Sequence, residues 1–241
     1  MRICISGTNC VGKSTLVDDF LKTWPDYKTP ADYRDIVKKT TLSKKTNKSK
    51  QKKILDLMKE ETSNLRSTDK IIFDRGPLDN LVYTLWANQK GKIDDKFVQE
   101  CIPIVREAVK KFDIIFFVPL TNVRPFEYVE EKLEKDKKSG TADEDYREEI
   151  DYLFKALKYD WDSNAESKIF DPRDKPAIIE VFGSPHERIE MIKLYLDADG
   201  DLLDNVGIIN EEELRELQEI KDGLGIEDVD QEILKDPYNL K

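Results

Sequence analysis

Nine consecutive residues, Gly7-Thr8-Asn9-Cys10-Val11-Gly12-Lys13-Ser14-Thr15, carry the strongest chemical signal in this sequence. They fit G-x-x-x-x-G-K-[ST], the phosphate-binding P-loop. Two glycines let the backbone curl so that consecutive N–H groups converge on phosphate oxygens, helped by the positive end of the helix that follows. Lys13 brings a mobile positive charge to the β- and γ-phosphates, and the Ser14 hydroxyl suits a Mg²⁺ ion. A glycine turn before an ordinary helix is the bland alternative. The flanks argue against it, because the apolar run Ile3-Cys4-Ile5 feeds the loop as a strand would and a helical pattern leaves it. The stretch points to binding of a nucleoside triphosphate, with ATP and Mg²⁺ as the expected pair.

A second reactive set lies about 60 residues downstream in Ile71-Ile72-Phe73-Asp74-Arg75. An apolar strand ending in Asp is the form of a Walker-B carboxylate, which sits beside a P-loop and holds Mg²⁺ or its water shell. Arg75 would point into the same crevice. Asp32 and Arg34 form a carboxylate–guanidinium pair close behind an expected strand end. In open α/β sheets ligands gather there, and an Asp can take a proton from an acceptor hydroxyl. The plainer reading of Asp32 is the start of an exposed helix. Arg124, with Arg147 second, is the arginine expected near phosphate from a mobile segment. His186 is the only histidine and has no partner nucleophile, so it reads as the surface of a helix start.

Placing these groups requires strands alternating with helices. Leu16, Val17, Phe20 and Leu21 give the helix behind the P-loop an apolar face, and Pro25 ends it. Ile54, Leu55, Leu57, Met58 and Leu65 predict a packed helix, as do Leu78, Leu81, Val82, Leu85 and Trp86. Phe97 to Phe112 predicts another, kinked or divided at Pro103. Ile114-Ile115-Phe116-Phe117-Val118 is apolar throughout, as in a strand covered on both faces of a parallel sheet. Pro119 to Asp145 is polar and charged, which suits a helical lid that closes over a reacting phosphoryl group. Ala177 to Gly183 is the last strand. Ser184-Pro185-His186-Glu187 then has an N-cap Ser, Pro at the first helical position and Glu at the third, a capping box. The loop at Gly183 would border an adenine.

Composition bounds the rest. The 241 residues suit one α/β domain with insertions, or one domain with an appendage. The net charge of −10 is concentrated at one end. Asp197 to Lys241 holds 15 acidic and 4 basic residues, leaving 35 acidic and 36 basic before it. The body is thus about neutral, which predicts a catalytic unit over 1–196, with its lid at about 119–145, and an acidic helical appendage over 197–241. Asp197-Ala198-Asp199-Gly200-Asp201 fails the calcium-loop pattern, with glycine misplaced and Ile208 where a bidentate Glu is needed. Eight lysines between Lys38 and Lys53 could track a polynucleotide backbone, but the run lacks aromatics for base stacking and reads more readily as a solvated connection. Three unrelated cysteines argue against a disulfide scaffold and a zinc site. With no signal-like start and no apolar run near the ~18 residues of a membrane span, the expectation is a soluble, cytoplasmic protein that does not enter a membrane.

Taken together, the P-loop, the strand ending Asp74-Arg75 and the charged insertion resemble the P-loop nucleoside and nucleotide kinases. Phe73-Asp74-Arg75-Gly76-Pro77-Leu78-Asp79-Asn80 is similar to the Asp-Arg motif of the thymidylate kinase group. It is closer still to the Asp-Arg-x-Pro-Leu-Asp run of ribosylnicotinamide-kinase-like proteins, a group with many phage members. The resemblance covers about 1–196. It implies an α/β fold with a parallel five-stranded sheet flanked by helices, ATP·Mg²⁺ as donor and an arginine-bearing lid. It also implies that Lys13 and Ser14 hold phosphates and metal, Asp74 supports Mg²⁺, and Arg75 faces the acceptor with Arg34.

Three functions compete. The first is transfer of the ATP γ-phosphoryl group to a nucleoside or nucleoside monophosphate. The second is a polynucleotide 5′-hydroxyl kinase, whose family carries a similar Asp-Tyr-Arg after the first helix; Ala31, where a second acid is usual, argues against it. The third is a P-loop ATPase without a small acceptor. No GTPase base-reading motif follows a strand, and no ABC-type signature is present. A small-molecule acceptor is the expected partner, ahead of nucleic acid, with a homodimer also considered.

Overall fold

The computed structural model describes residues 1–30, 46–121, 143–162, 176–203 and 211–226. Asp32, Arg34, Arg124 and most of the expected lid lie outside them. In chain order the elements are β1 (Arg2–Ser6), α1 (Lys13–Thr23), α2 (Lys48–Ser63), β2 (Ile71–Asp74), α3 (Pro77–Gln89), α4 (Asp95–Val109), β3 (Ile114–Phe117), α5 (Glu144–Asp162), β4 (Ala177–Glu180), α6 (Pro185–Lys193) and α7 (Glu211–Gly223).

The strands make one parallel sheet in the order β2-β1-β3-β4. Five strands were expected, and among the described residues there are four. At the fifth position stands a single parallel bridge, Lys28 to Ile71, on the outer edge of β2. Pro25 and Pro30 bracket that short stretch and limit how far it can pair.

Side chains alternate across the sheet, so each strand serves two cores. Cys4, Phe73, Ile115, Phe117 and Ile178 face a cluster built with α2, α3, α4 and α5. Ile3, Ile5, Ile72, Ile114, Phe116 and Val118 face the opposite cluster with α1 and α6. The sheet is therefore covered on both sides, which explains the uninterrupted apolar run of β3, buried at every position. Trp86 is 3% exposed and belongs to the first cluster.

Local sequence explains most element ends. Asn47 accepts the Lys50 N–H and starts α2, and Asp94 accepts the Phe97 N–H at 2.8 Å and starts α4. The Ser184–Glu187 capping box forms as the sequence predicts, with Ser184 N donating to Glu187 Oε2 at 2.6 Å. Two expectations change. Pro103 does not divide α4, which runs through it as one helix from Asp95 to Val109. The lysine-rich connection is already helical from Lys48, where Lys48 pairs with Asp94 and Lys52 with Asp56 on the helix surface.

The Asp197–Leu203 stretch packs on the start of the chain. Trp24 Nε1 donates to Asp197 O, Tyr27 Oη donates to Gly200 O, and Asp197 Oδ1 accepts the Asp199 and Asp201 N–H groups. Lys221 of α7 lies 3.1 Å from Glu180 at the end of β4. No described helix is long and apolar enough to cross a membrane.

Candidate active site

β1 is the switch point of the sheet: the chain leaves it to build β2 on one side and β3 on the other. Ligand crevices of open α/β sheets form at such a place, outside the carboxyl ends of the strands. The P-loop fills it, running from Gly7 to the first turn of α1.

Its backbone conformation depends on glycine. Gly7 has φ +142°, and a Cβ there would sit 2.5 Å from Val118 O at the exit of β3. Gly12 (φ 87°) is the left-handed N-cap of α1, and Cys10 (φ 61°) is also left-handed without being glycine. Such non-glycine conformations cost about 1–3 kcal/mol each and persist where surrounding structure fixes them.

Lys13 folds back and donates to Thr8 O within the loop. It is 4% exposed, and its pKa is pushed down to about 7, first by burial and then by the Arg75 charge. Its neighbour Ser14 points the other way, and its Oγ donates to Asp74 Oδ2 at 2.5 Å. A hydroxyl and a carboxylate oxygen in contact at the foot of a phosphate loop form the hard-oxygen donor set that Mg²⁺ takes with substrate phosphates. The residues present therefore fit the ion that the sequence leads one to expect.

Two arginines converge on Asn9 from different elements. Arg75 Nη2 donates to Asn9 Oδ1 at 2.6 Å, while Arg147 Nε, in the first turns of α5, donates to Asn9 O at 3.0 Å. Arg75 directly follows β2 in a left-handed conformation, φ 84°. Its guanidinium also reaches Tyr83 Oη and Gly7 O, lies over the Tyr83 ring, and is 3.6 Å from Asp79. Burial works against the Arg75 charge, but Tyr83, Asp79 and Asp74 outweigh it and hold its pKa above the usual range.

Tyr83, Tyr146 and Arg188 join the site without having been singled out from the sequence, and so does Asp79, which closes the Asp-Arg-x-Pro-Leu-Asp run but was given no role there. Asp79 is fully buried and accepts from Ser6 Oγ at 2.8 Å and Gly76 N at 3.0 Å. Burial raises its pKa, opposed by Arg75 and Lys13. The Tyr146 ring packs edge-on against Trp86, with its hydroxyl buried. Arg188, from the first turn of α6, donates to Val11 O in the P-loop at 2.7 Å. Asp79 had two visible signals, its place at the end of the Asp-Arg-x-Pro-Leu-Asp run and an acid at the third position of a helix, which announces a cap. Arg188 left no signal. The base of the expected lid is also held: Leu120 N, just past β3, donates to buried Asp151 on α5 at 2.7 Å. His186 is exposed, as expected of a helix start.

A family model described as an AAA domain matches residues 2–162, about two thirds of the chain. No curated protein matches. Among solved structures, a deoxyadenosine kinase from M. mycoides with dCMP and dCDP bound has TM-score 0.53 at 20% identity, covering 80% of this chain and 96% of that one. A NadR protein in complex with NAD and AMP-PNP also has TM-score 0.53, at 13% identity, covering 86% of this chain and 51% of that one. At these identities the likeness is one of fold: a parallel α/β sheet flanked by helices around a P-loop.

Proposed function

The chain belongs to the AAA domain family, and from that premise we propose that it is an ATP- and Mg²⁺-dependent phosphotransferase acting on a nucleoside or nucleoside monophosphate. The observation that carries this reading is the convergence of Arg75 and Arg147 on Asn9, beside a P-loop whose Lys13 and Ser14–Asp74 pair are complete. Two further cations at the mouth of a phosphate loop suit a second anionic or hydroxyl-bearing substrate as well as the transferring group. The deoxyadenosine kinase and NadR folds support the same reading, one bound to deoxynucleotide products and the other to a nicotinamide dinucleotide and an ATP analogue.

Phosphoryl transfer asks little covalent chemistry of the protein, chiefly in-line positioning and neutralisation of charge on the transferred group. In this chain the P-loop N–H groups receive the β- and γ-phosphates. Lys13 leaves Thr8 O and turns to them. Arg147 steadies the loop from the α5 side, and Arg75 presents its charge from the β2 side. Ser14 and Asp74 would hold a Mg²⁺ ion, which would supply charge to offset that of the phosphate oxygens. Asp32 is the proposed acceptor of the nucleophile's proton, with Arg34 beside it. The stretch at 119–145, with Arg124, is the proposed lid over a catalytic unit spanning 1–196.

The test is transfer from γ-labelled ATP with Mg²⁺ to nucleosides, nucleoside monophosphates, nicotinamide riboside and a 5′-hydroxyl oligonucleotide. Label on one small acceptor, lost in Lys13→Ala and Asp74→Ala, is the expected result. Label on the oligonucleotide alone would replace this reading with end-phosphorylation, and free phosphate alone would replace it with an ATPase.

A further inference from the structure

We infer that Asp79 is a positioning residue that locks the Arg75 guanidinium against the phosphate loop, so that the loop and the acceptor-facing arginine are set as one unit. This rests on the phosphotransferase reading above and deepens it.

A helix-capping acid needs one backbone N–H and is ordinarily exposed to water. Asp79 does cap α3 through Gly76 N, but its carboxylate is fully buried and ties together three parts of the site. Oδ2 accepts from the hydroxyl of Ser6, the last residue of β1, at 2.8 Å. Oδ1 lies 3.4 Å from the N–H of Gly7, the first residue of the P-loop. The same oxygen is 3.6 Å from Arg75 Nη1. A buried carboxylate requires a matching charge nearby, and a buried guanidinium requires the same. Arg75 has 11% of its side chain exposed, so the two ions offset part of each other's buried charge, alongside Tyr83 and Asp74 for Arg75 and Lys13 for Asp79.

The geometry divides the work. Asn9 and Tyr83 give Arg75 direction, at 2.6 and 3.4 Å, while Asp79 supplies the opposite charge. If the carboxylate becomes an amide, Ser6 and Gly76 keep an acceptor oxygen, but an N–H₂ then faces the donors of Gly7 and Arg75. The guanidinium swings away from the loop. The backbone cradle for ATP phosphates stays, because Gly7 and Gly12 define it independently.

The experiment uses the full chain as wild type, Asp79→Asn, Arg75→Ala and the double variant. Binding of Mg²⁺–ATP is measured by calorimetry, and kcat and KM by transfer to the acceptor found for the wild type. For Asp79→Asn the expectation is a dissociation constant within about threefold of wild type and kcat lower by about 10–100-fold, the range for groups that orient another ligand. In the Arg75→Ala background the same change should cost less than about twofold, since its target is gone. Wild-type kcat in Asp79→Asn, or losses that multiply in the double variant, would overturn the inference. Equal loss of ATP binding and turnover would overturn it too, since that marks a merely structural acid. If Asp79→Asn does not fold, Ser6→Ala removes one support of the carboxylate. Several-fold lower kcat at unchanged ATP affinity is expected, and unchanged kcat overturns the inference.

If the wild type labels no acceptor, the phosphotransferase reading has failed by itself. Urea unfolding of the same four proteins then decides the Asp79–Arg75 lock. A coupling of about fivefold or more in the folding equilibrium constant supports it, and additive losses overturn it.

Discussion

Ser14 Oγ donates to Asp74 Oδ2 at 2.5 Å, joining the first turn of α1 to the last residue of β2. The contact follows from sheet register. β1 and β2 are parallel neighbours with Ile5 opposite Asp74, so the carboxylate emerges level with the start of the P-loop. The two oxygens of the proposed Mg²⁺ site are thus preset by backbone pairing. Replacing Asp74 by Ala should raise the Mg²⁺ concentration for half-maximal transfer by about 10–100-fold. A Mg²⁺ titration of both proteins checks this. A fall in kcat with no change in the Mg²⁺ requirement would show that Asp74 acts elsewhere.

Lys13 gives nucleotide binding a pH signature. In the ligand-free chain burial, reinforced by Arg75, pushes its pKa down to about 7, against an unfolded value near 10.5. Between those values the unfolded chain binds more protons, so this residue makes stability rise with pH from about 7 to about 10.5. Below that window the protein bears the full cost of a buried ammonium. A triphosphate reverses the balance by favouring the charged form. Binding of Mg²⁺–ATP at about pH 8 should therefore take up close to one proton, and at about pH 6 almost none. Calorimetry in buffers of different ionisation heat measures the uptake, and Lys13→Met should abolish it. Equal uptake at both pH values would contradict the shift.

Gly7 has no room for a side chain. Its φ of +142° and the 2.5 Å approach of a Cβ to Val118 O act together, and the obstacle is main chain at the exit of β3. Gly7→Ala should cost about 1–3 kcal/mol in denaturant unfolding and remove the rise in Tm caused by Mg²⁺–ATP. Gly91 makes the control. It is also left-handed, at φ +68°, but a Cβ there meets nothing within 4 Å. Gly91→Ala should cost about 1 kcal/mol and leave the nucleotide-induced rise intact.

Sequence alone made the donor side of the site legible, because a phosphate loop is a local object. Its glycines, its lysine and its flanking strand and helix are contiguous, and the strand ending in Asp74 is nearly so. The parallel sheet could be inferred from the apolar run of β3, since both faces of each strand are buried. What stayed hidden depends on packing between distant elements. Arg188 reaches Val11 across 177 residues, and Arg147, which the sequence marks as a candidate phosphate arginine, meets a partner the sequence does not reveal, Asn9, across 138. Asp79 stands in the sequence as the end of the Asp-Arg-x-Pro-Leu-Asp run, but its role emerges only from its burial and its bonds to Ser6 and Gly76. Pro103 illustrates the reverse: propensity predicts a kink or a division, and the helix is not divided, because Val98, Cys101, Ile102 and Val105 bury one continuous face around it.

Arg188 supplies the remaining prediction, because it reaches the P-loop backbone at Val11. Arg188 is 3% exposed, its guanidinium donates to Val11 O at 2.7 Å, and burial pulls its pKa down to about 10, so it stays charged at neutral pH. A buried cation bonded to the Val11 carbonyl fixes that peptide, and on the proposed reading this keeps the carbonyl from turning toward bound phosphates. Arg188→Met keeps much of the volume and removes the donor. It should cost about 1–3 kcal/mol of stability and weaken Mg²⁺–ATP binding by about tenfold, as the carbonyl becomes free to turn inward. His186→Ala, two residues earlier and exposed, should change stability by less than about 0.5 kcal/mol and leave binding alone. If Arg188→Met loses stability but binds Mg²⁺–ATP like the wild type, α6 braces only the fold, and the loop holds its shape through Gly7 and Gly12.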